Sequence, residues 1–337
     1  MAAITLKDKK FDLASVGNAL VDVLTHVDDD FIKAESGSGM MKGGMTLIDE
    51  DRARDLYDKM PPSVEMSGGS AANTLAGFAS LGGKSAFIAK VADDQLGKVF
   101  LHDLKSQSIE INTTPLKGGP ETGRCLILIT PDAQRTMNTF LGASVELGEE
   151  DIDEDVISNA SITYLEGYLF DRDQAKSAFR KAGEIVKQSG TKLALTLSDT
   201  FCVDRHREDF LDLVNGSVDI LFANEQEIKS LYQTDDFQSA CDSIAGKCDI
   251  AAITRSEKGS VIISGEQRVE VDAVKPKELV DTTGAGDLYA AGFLYGLSQG
   301  KTLAECGRLG SMAASEVISH IGPRPQVSLA ELIQKAA

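Results

Sequence analysis

Short apolar runs alternate with helical patterns along most of the chain, and this alternation limits the fold more than any other feature. Each run is too short for a helix but long enough for a strand that is buried on both faces. Strands separated by helices pair in parallel, because the chain crosses back over the sheet between them. The sequence therefore predicts an α/β fold around a largely parallel sheet. The runs cover residues 11–17, 86–92, 125–130, 161–165, 192–197, 218–223, 249–254 and 260–263.

Apolar residues at helical spacing predict three buried helices in particular. The first begins at about Ser70, the second begins near Gly286, and the third covers about residues 302–319. The apolar stripes consist of Ala72, Leu75, Ala76 and Ala79 in the first, Ala290, Phe293, Leu294 and Leu297 in the second, and Leu309, Met312 and Ala313 in the third.

Two glycine-rich stretches interrupt the alternation, at about residues 24–48 and 109–142. Both have strand-like patterns without an intervening helix, which is typical of hairpins that pair into a small separate sheet. We interpret them as a lid inserted into a single domain that spans residues 1–337. The alternative is that both stretches are ordinary surface excursions from the main sheet.

The charge balance argues against nucleic acid and anionic membranes as partners. Lys and Arg number 34 against 52 acidic residues, which gives a net charge of −18. Such a surface repels polyanions. Any phosphorylated ligand would therefore have to be held locally, by backbone amides, a few cations and a metal ion.

The five cysteines indicate a reducing compartment. They are odd in number and scattered, and they include no C-x-x-C pair, so neither a disulfide framework nor a zinc site is supported. No segment approaches the ~20 apolar residues that a membrane-spanning helix needs. We therefore expect a cytoplasmic protein.

The strongest chemical signal is DTTGAGD at residues 281–287, which leads directly into an apolar helix. Glycines let the backbone approach a ligand, and a helix N-terminus adds partial positive charge. The N–H groups of Gly284, Ala285 and Gly286 are therefore a candidate anion hole. Asp287 follows the last glycine, where it can take a proton from an attacking hydroxyl group. Taken alone, Asp287 could equally be a residue that caps the helix.

Two further segments can hold a polar substrate. SGGSAAN places Gly68 and Gly69 before a helix, where a substrate can lie against the main chain, and Asn73 one turn later. In GNALVDVL, Asn18 and Asp22 follow an apolar strand, and a carboxylate such as Asp22 can bind two neighbouring hydroxyl groups. Helix capping and a solvated aspartate are the alternatives.

Two other segments are candidates for the nucleotide phosphates. Asn224 and Glu227 in NEQE share one face of a helix that follows an apolar strand, where they can hold water bound to Mg²⁺. Helix capping would explain the same pair. The loop TRSEKG, from Thr254 to Gly259, lies between two strands and can wrap another phosphate. We also expect Thr283 to contact the nucleotide.

Two common nucleotide-binding motifs are incomplete or absent in this sequence. A G-K-S tripeptide at residues 83–85 matches the end of a Walker A loop, but Phe78 stands where that motif requires its first glycine. The sequence contains no G-x-G-x-x-G, which argues against a dinucleotide-dependent oxidoreductase.

In this order, the motifs resemble those of the ribokinase or PfkB family of carbohydrate and nucleoside kinases, and within it most of all the adenosine kinase group. DTTGAGDLYAAGF is the most specific match, and SGGSAAN and NEQE match two further family motifs. RTMNTFLGA and IGPRP are similar to the adenosine kinase group. The resemblance implies a ribokinase-like three-layer α/β/α sandwich with a mostly parallel sheet and a small β-sheet lid.

The resemblance also implies an ATP-dependent phosphotransferase that acts on a primary hydroxyl group, with Mg²⁺ as its metal ion. Asp287 would be the general base, and Gly284, Ala285 and Gly286 would form the anion hole. Arg135 matches a lid arginine that reaches the transferring phosphate, and a fixed guanidinium suits that charge.

On the substrate side, the resemblance implies that Asp22, Gly69 and Asn73 bind sugar-like hydroxyls, and Glu227 would hold the metal ion through water. Adenosine is the expected acceptor, and ribose, a fructose-like sugar or another nucleoside are alternatives. A catalytically silent binding regulator is a further alternative, and either a monomer or a homodimer is compatible. Ser256 replaces a glycine that many members have in the TRSEKG loop.

Overall fold

The computed structural model describes residue 6, residues 9–132 and residues 134–336. The strands are β1 Phe11–Val16, β2 Leu20–His26, β3 Met45–Leu47, β4 Val64–Gly68, β5 Ser85–Ile88, β6 Glu110–Ile111, β7 Thr122–Ile129, β8 Arg135–Gly142, β9 Ala160–Glu166, β10 Lys192–Thr196, β11 Ile220–Asn224, β12 Ile250–Thr254, β13 Ser260–Ser264 and β14 Gln267–Val271. The α-helices are α1 Asp29–Glu35, α2 Glu50–Lys59, α3 Ser70–Ser80, α4 Gln95–Ser106, α5 Glu154–Ser158, α6 Asp173–Ser189, α7 Thr200–Gly216, α8 Glu225–Leu231, α9 Phe237–Ile244, α10 Ala285–Ser298, α11 Leu303–Val317 and α12 Leu329–Ala336.

Nine strands form a large sheet in the order β14-β13-β12-β11-β10-β9-β1-β5-β6. Pairing is parallel from β6 across to β12, and β12, β13 and β14 at the other edge are antiparallel to one another. Seven of the eight apolar runs are strands of this sheet, which confirms the predicted α/β class. The run at residues 125–130 lies in a second sheet instead.

Helices cover both faces of the large sheet, because alternate residues of its strands belong to two separate apolar cores. In β11, Leu221 and Ala223 pack with α5 to α9 on one face. Ile220 and Phe222 pack with α3, α4, α10, α11 and α12 on the other. This period of two follows from the pleat of a strand. The fold is therefore the three-layer α/β/α sandwich that the resemblance implied.

The second sheet has five strands in the order β3-β8-β7-β2-β4. The small separate sheet is thus present, but its predicted extent needs correction. β4 and the first part of β2 lie outside residues 24–48 and 109–142, and β6, inside the second stretch, belongs to the large sheet. α1 lies within residues 24–48, where no helix was expected. Its seven residues bury only Ile32, and one buried position gives no helical period to detect.

The three buried helices are α3, α10 and α11, close to their predicted bounds. α3 and α10 each follow a glycine with positive φ, Gly69 at +89° and Gly284 at +78°. Only glycine adopts this conformation without strain, so these residues turn the chain sharply into each helix. Among the described residues, no helix combines the length and apolar character required to cross a bilayer.

Candidate active site

Polar side chains gather where the parallel strands of the large sheet end. Asn18 follows β1, Glu166 ends β9, Asn224 ends β11, and Thr254 ends β12. Carboxyl ends of parallel strands meet at one edge of a sheet, and open α/β sheets bind their ligands at that edge. The first turns of α3 and α10 contact each other here, so both helices direct their partial positive charge to this place.

Asp287 lies in the first turn of α10, and side chains from the first turn of α3 hold its carboxylate. Oδ1 accepts a hydrogen bond from Ser70 Oγ at 2.6 Å, and Oδ2 accepts one from Asn73 Nδ2 at 3.1 Å. Burial raises the pKa of Asp287 to about 6, although the two hydrogen bonds act to lower it. Asp287 is therefore mainly ionised at neutral pH, with a pKa near enough to neutrality for it to accept a proton.

The backbone at the start of α10 presents N–H groups beside this carboxylate. Gly284 lies against the segment after α11, where the carbonyl oxygen of Pro323 would be 2.6 Å from a Cβ at position 284. The Ala285 N–H donates to the Thr282 carbonyl oxygen at 3.3 Å. Within the described chain, the Gly286 N–H has no acceptor, and a Cβ at this position would meet open space. Such a helix start can bind an anion.

Asp281 connects the glycine loop, which comprises residues 281–286, to the segment after α11. Its Oδ1 accepts hydrogen bonds from the Thr283 N–H at 2.9 Å and the Thr283 Oγ1 at 2.6 Å, and its Oδ2 accepts one from the Gly322 N–H at 3.0 Å. Arg135, at the start of β8 in the small sheet, donates to the hydroxyl groups of Thr282 and Thr283. Its Nε also lies 3.5 Å from Asp281 Oδ1. The small sheet therefore contacts the glycine loop directly.

Asp22 on β2 brings another buried carboxylate to the site. A Cβ on Gly68 would collide with this carboxyl group, so the glycine is what leaves room for it. The pKa of Asp22 is raised to about 7, mainly by burial. The charge of Arg324 acts to lower it, and the charge of Asp287 acts to raise it. Within the described residues, no side chain or amide donates to this carboxylate, so its oxygens are available to bind hydroxyl groups.

Glu166 organises the backbone next to Asp287. Its Oε1 accepts a hydrogen bond from Asn18 Nδ2 at 2.6 Å, and its Oε2 accepts from the Ala71 N–H at 2.8 Å and the Asn18 N–H at 3.2 Å. Burial raises the pKa of Glu166 to about 7. Asn18, a predicted substrate ligand, is thus at the site with its side-chain amide bound to Glu166. Gly69 also lies here, since a Cβ on it would collide with the Asn18 carbonyl oxygen.

Asn224 and Glu227 form a capping box at the start of α8. Asn224 Oδ1 accepts from the N–H groups of Gln226 and Glu227, each at 2.9 Å, and Glu227 accepts from the Asn224 N–H at 2.9 Å and from its Nδ2 at 2.5 Å. Capping, the alternative considered from the sequence, is therefore present. The pKa of Glu227 is raised to about 7, mainly by burial and also by the charges of Asp199 and Asp287. Glu227 thus faces the same acidic region as Asp287.

Among the described residues, no three acidic, His or Cys side chains form a complete metal-binding cluster, so a magnesium ion here would depend on water and phosphate ligands. Glu227, Asp199 and Asp287 are close enough for the two aspartates to raise the pKa of Glu227, and a divalent cation would relieve their mutual repulsion. Mg²⁺ prefers oxygen ligands and keeps several waters, so a buried carboxylate that is already hydrogen-bonded can hold it through water.

The loop between β12 and β13 continues the same edge of the sheet. Thr254 pairs with Asn224 across the neighbouring strands, so the two polar residues are adjacent. Gly259 has φ of +82°, and a Cβ there would collide with the Val271 carbonyl oxygen. Glycine is therefore required at position 259 by the backbone alone, whatever the loop binds.

The face of the small sheet that bears Asp22 is largely apolar. Residues paired in register point to the same side of a sheet, and Asp22 aligns with Met66 and Cys125. Arg135 aligns with Ile129 on the same face. The apolar cluster on this face consists of Leu24, Met66, Cys125, Ile127, Ile129 and Met137. One surface thus combines a carboxylate with apolar side chains, which suits a ligand with hydroxyl groups at one end and an apolar ring at the other.

The structure places all of the predicted site residues around Asp287 or along the adjoining edge of the large sheet. Those around Asp287 are Asn18, Asp22, Gly68, Gly69, Asn73, Arg135, Thr283, Gly284, Ala285 and Gly286, and those along the adjoining sheet edge are Asn224, Glu227, Thr254 and Gly259. Sequence reasoning missed the roles of Ser70, Glu166, Asp281 and Arg324. Glu166 could have been found, since it is a carboxylate at the end of a buried strand.

Fold and site together define a class of enzyme. One carboxylate lies in the first turn of a helix that starts with glycine, beside N–H groups that can bind an anion. A second carboxylate nearby can bind hydroxyl groups. A site of this kind can support the transfer of a phosphoryl group to a hydroxyl of a small molecule. The sequence pattern of the pfkB family carbohydrate kinases matches residues 46–329, and the chain belongs to this family. It is an ATP-dependent kinase with a hydroxyl acceptor.

Similar proteins include nucleoside and sugar kinases. The adenosine kinase from Sinorhizobium meliloti has a TM-score of 0.93 at 52% identity, over 97% of this chain and 100% of that chain. A probable sugar kinase from Rhizobium etli also has a TM-score of 0.93, at 51% identity, over 97% of this chain and 99% of that chain. The 5-dehydro-2-deoxygluconokinase of Geobacillus kaustophilus is 30% identical over 281 residues, which are 79% of this chain and 84% of that protein.

Proposed function

We propose that the protein transfers a phosphoryl group from ATP to the 5′-hydroxyl of adenosine, with AMP and ADP as products. The observation that carries this proposal is the mixed character of the small sheet, which presents Asp22 beside a cluster of apolar side chains. Ribose hydroxyls match the carboxylate, and a purine ring matches the apolar cluster. The similarity to an adenosine kinase at 52% identity supports the same acceptor.

In this reaction, Asp287 takes the proton from the 5′-hydroxyl of the acceptor. The hydroxyl oxygen attacks the γ-phosphorus of ATP, and the bond between that phosphorus and the ADP oxygen breaks. Gly284, Ala285 and Gly286 form the anion hole, which stabilises negative charge on the transferring group. Arg135 adds a guanidinium from the small sheet. Its present contacts with Thr282 and Thr283 place it at the loop that leads to the anion hole.

The acceptor lies between α3 and the small sheet. Asp22 binds the two ribose hydroxyls, and Asn73, which already donates to Asp287, bonds to a hydroxyl near the reacting end. Gly68 and Gly69 let the sugar approach the main chain, because a side chain at either position would fill the space taken by Asp22 or Asn18. Asn18 is held by Glu166 along this wall.

The nucleotide lies along the sheet edge that Asn224 and Thr254 share. Its phosphates contact Asn224, Thr254, Gly259 and Thr283, and Glu227 would hold Mg²⁺ through water. When bound, Mg²⁺ neutralises phosphate charge and orients the phosphoryl group. The −18 net charge of the chain favours such local neutralisation, because the overall field of the protein repels ATP.

An ADP-coupled assay over a panel of acceptors tests this proposal. The panel contains adenosine, inosine, guanosine, cytidine, ribose, fructose and 5-dehydro-2-deoxygluconate, each with ATP and Mg²⁺. We expect the highest kcat/KM for adenosine. A higher value for any of the sugars would overturn the nucleoside assignment and support a sugar kinase. Calorimetric binding of an acceptor without ADP release from any of them would instead support the silent regulator.

A further inference from the structure

The segment after α11 forms one wall of the acceptor site. It contains the tract IGPRP, for which the proposed reaction has no role. The Gly322 N–H donates to Asp281, and a Cβ on Gly322 would lie 2.7 Å from Met66 Sδ in the small sheet. Pro323 lies against Gly284. The tract therefore runs between the small sheet and the start of α10, and it brings Arg324 to the site.

Arg324 is a partly buried cation whose hydrogen bonds are incomplete. Its Nε donates to Asn73 Oδ1 at 3.4 Å, which is a long bond. Its Nη2 is shielded from solvent and has no acceptor in the part of the chain that the structure describes. Burial lowers the pKa of Arg324 to about 10, and the carboxylates of Asp22 and Asp103 act against this effect. A guanidinium remains protonated at neutral pH even so.

Leaving an N–H group that is shielded from solvent without an acceptor costs free energy. We therefore expect a bound ligand to supply an acceptor for Nη2 of Arg324. Asp22 influences the pKa of Arg324, and Arg324 in turn lowers that of Asp22, so the two charged groups lie near each other. Among the described residues they do not form an ion pair within 4.0 Å. A hydroxyl group satisfies both at once, because it donates to a carboxylate and accepts from a guanidinium.

We propose that Arg324 binds the acceptor substrate directly, by donating a hydrogen bond from Nη2 to the oxygen of a sugar hydroxyl whose own proton is donated to Asp22. This inference rests on the proposed function in one respect, namely that the acceptor carries a pair of ring hydroxyls. The contact of Nε with Asn73 adds a second function. It orients the Asn73 amide with its oxygen toward Arg324 and its nitrogen toward Asp287.

The alternative is that Arg324 only offsets the negative charge of the surrounding carboxylates. A residue with that role would affect all acceptors alike. A residue that donates to one hydroxyl affects an acceptor that has this hydroxyl much more than an analogue that lacks it. Comparing an acceptor with its deoxy analogues therefore separates the two roles.

The test compares Arg324→Met with the parent on adenosine, 2′-deoxyadenosine and 3′-deoxyadenosine. We expect the KM for adenosine to rise about 10- to 100-fold, because a hydrogen bond to a charged group is lost. For one of the two deoxy analogues the rise is expected to stay within about threefold, and the KM for ATP should not change. Arg308→Met, at an exposed arginine of α11, is the matched control and should match the parent.

Equal increases in KM for all three nucleosides, or no increase, would overturn the proposal. If Arg324→Met does not fold, Arg324→Lys replaces it. This variant keeps the charge but loses the planar donor pair, so it is expected to show the same unequal effect in calorimetric titrations with the three nucleosides. Should the parent prefer a sugar over adenosine, the proposed function fails, and the same comparison with that sugar and its monodeoxy analogues decides the role of Arg324.

Discussion

The substitution Asp287→Asn separates the chemistry of Asp287 from its structural contacts. Asparagine has nearly the same shape, and its oxygen can still accept from Asn73 Nδ2, as Oδ2 of Asp287 does. Its NH₂ group would then face Ser70 Oγ, and a hydroxyl can rotate to accept instead of donating. The contacts between α3 and α10 are therefore kept, and only the ability to accept a proton is lost.

Activity and stability are expected to move in opposite directions. General-base catalysis typically contributes about 10²- to 10⁴-fold, so kcat should fall by that order. A pKa of about 6 in the fold against an ordinary 3.8 means that the folded protein binds this proton more tightly than the unfolded chain does. The ionised carboxylate then destabilises the fold, by at most ~3 kcal/mol, and the uncharged asparagine does not. This destabilisation is absent below a pH of about 3.8 and complete above about 6.

The assay measures ADP release at a pH of about 8 with saturating acceptor, together with thermal unfolding at several pH values. The variant should unfold at a higher temperature than the parent near neutral pH, and this difference should shrink on acidification toward a pH of about 4. Asp173→Asn is the matched control. It removes an exposed carboxylate from the first turn of α6, where helix-dipole effects are similar, and it has no role in the proposed reaction.

A kcat for Asp287→Asn within about threefold of the parent would refute the reasoning, since it lies far below the effect expected for a lost base. Asp287 would then be a helix-capping residue, for which asparagine is an adequate replacement. A large loss of kcat with a lower unfolding temperature at neutral pH would contradict the stability argument and show that the contact between α3 and α10 was broken.

Other changes test separate parts of the site. Asp22→Ala is expected to raise the acceptor KM about 10- to 100-fold with little effect on kcat, because hydroxyl contacts act in ground and transition states alike; an unchanged KM would remove Asp22 from the site. Arg135→Ala should lower kcat by about 10²-fold or more in a protein that still folds, since its charge acts on the transferring phosphoryl group; normal turnover would show that Arg135 does not act on that group. The acceptor kcat/KM of the parent should rise with pH between about 6 and 7, as Asp287 and Asp22 ionise, and a flat profile would contradict these assignments. The unfolding free energy of the parent should fall as the pH rises from about 4 to 7, because the folded protein binds the protons of its buried carboxylates more tightly than the unfolded chain does. Glu166→Gln should make this decrease with pH less steep, and a steeper decrease in the variant would count against burial as the cause of the raised pKa values.

The sequence predicted the large sheet well because its strands are buried on both faces. Mainly apolar runs such as residues 192–197 and 249–254 do not fit surface segments, and the helices between them require parallel pairing. The small sheet was harder to delimit. β4 has two exposed residues at its start, and β6 has only two residues in all, so neither gives a periodic signal.

The site divides in the same way, into local and long-range features. Glycines before a helix have a local meaning, because they allow the turn and expose N–H groups, so residues 284–287 could be recognised from their own neighbourhood. The partners of Asp287 could not. Ser70 is 217 positions away from it, and Arg324 is 251 positions away from Asn73. Such contacts depend on how the layers pack, which a single sequence does not display.

The dependence of the glycine loop on the segment after α11 affects when the enzyme becomes active during its synthesis. The Gly322 N–H donates a hydrogen bond to Asp281, and Pro323 packs against Gly284. The glycine loop is therefore supported by residues that follow it by about forty positions in the chain. Ribosomes make the chain from the N-terminus, and domains fold in that direction as they emerge. A nascent or prematurely terminated chain that stops before residue 322 would contain the strands proposed to bind the acceptor and the proposed base. Its glycine loop would lack the contacts that support it. Incomplete products of translation are therefore expected to leave the cellular ATP pool untouched.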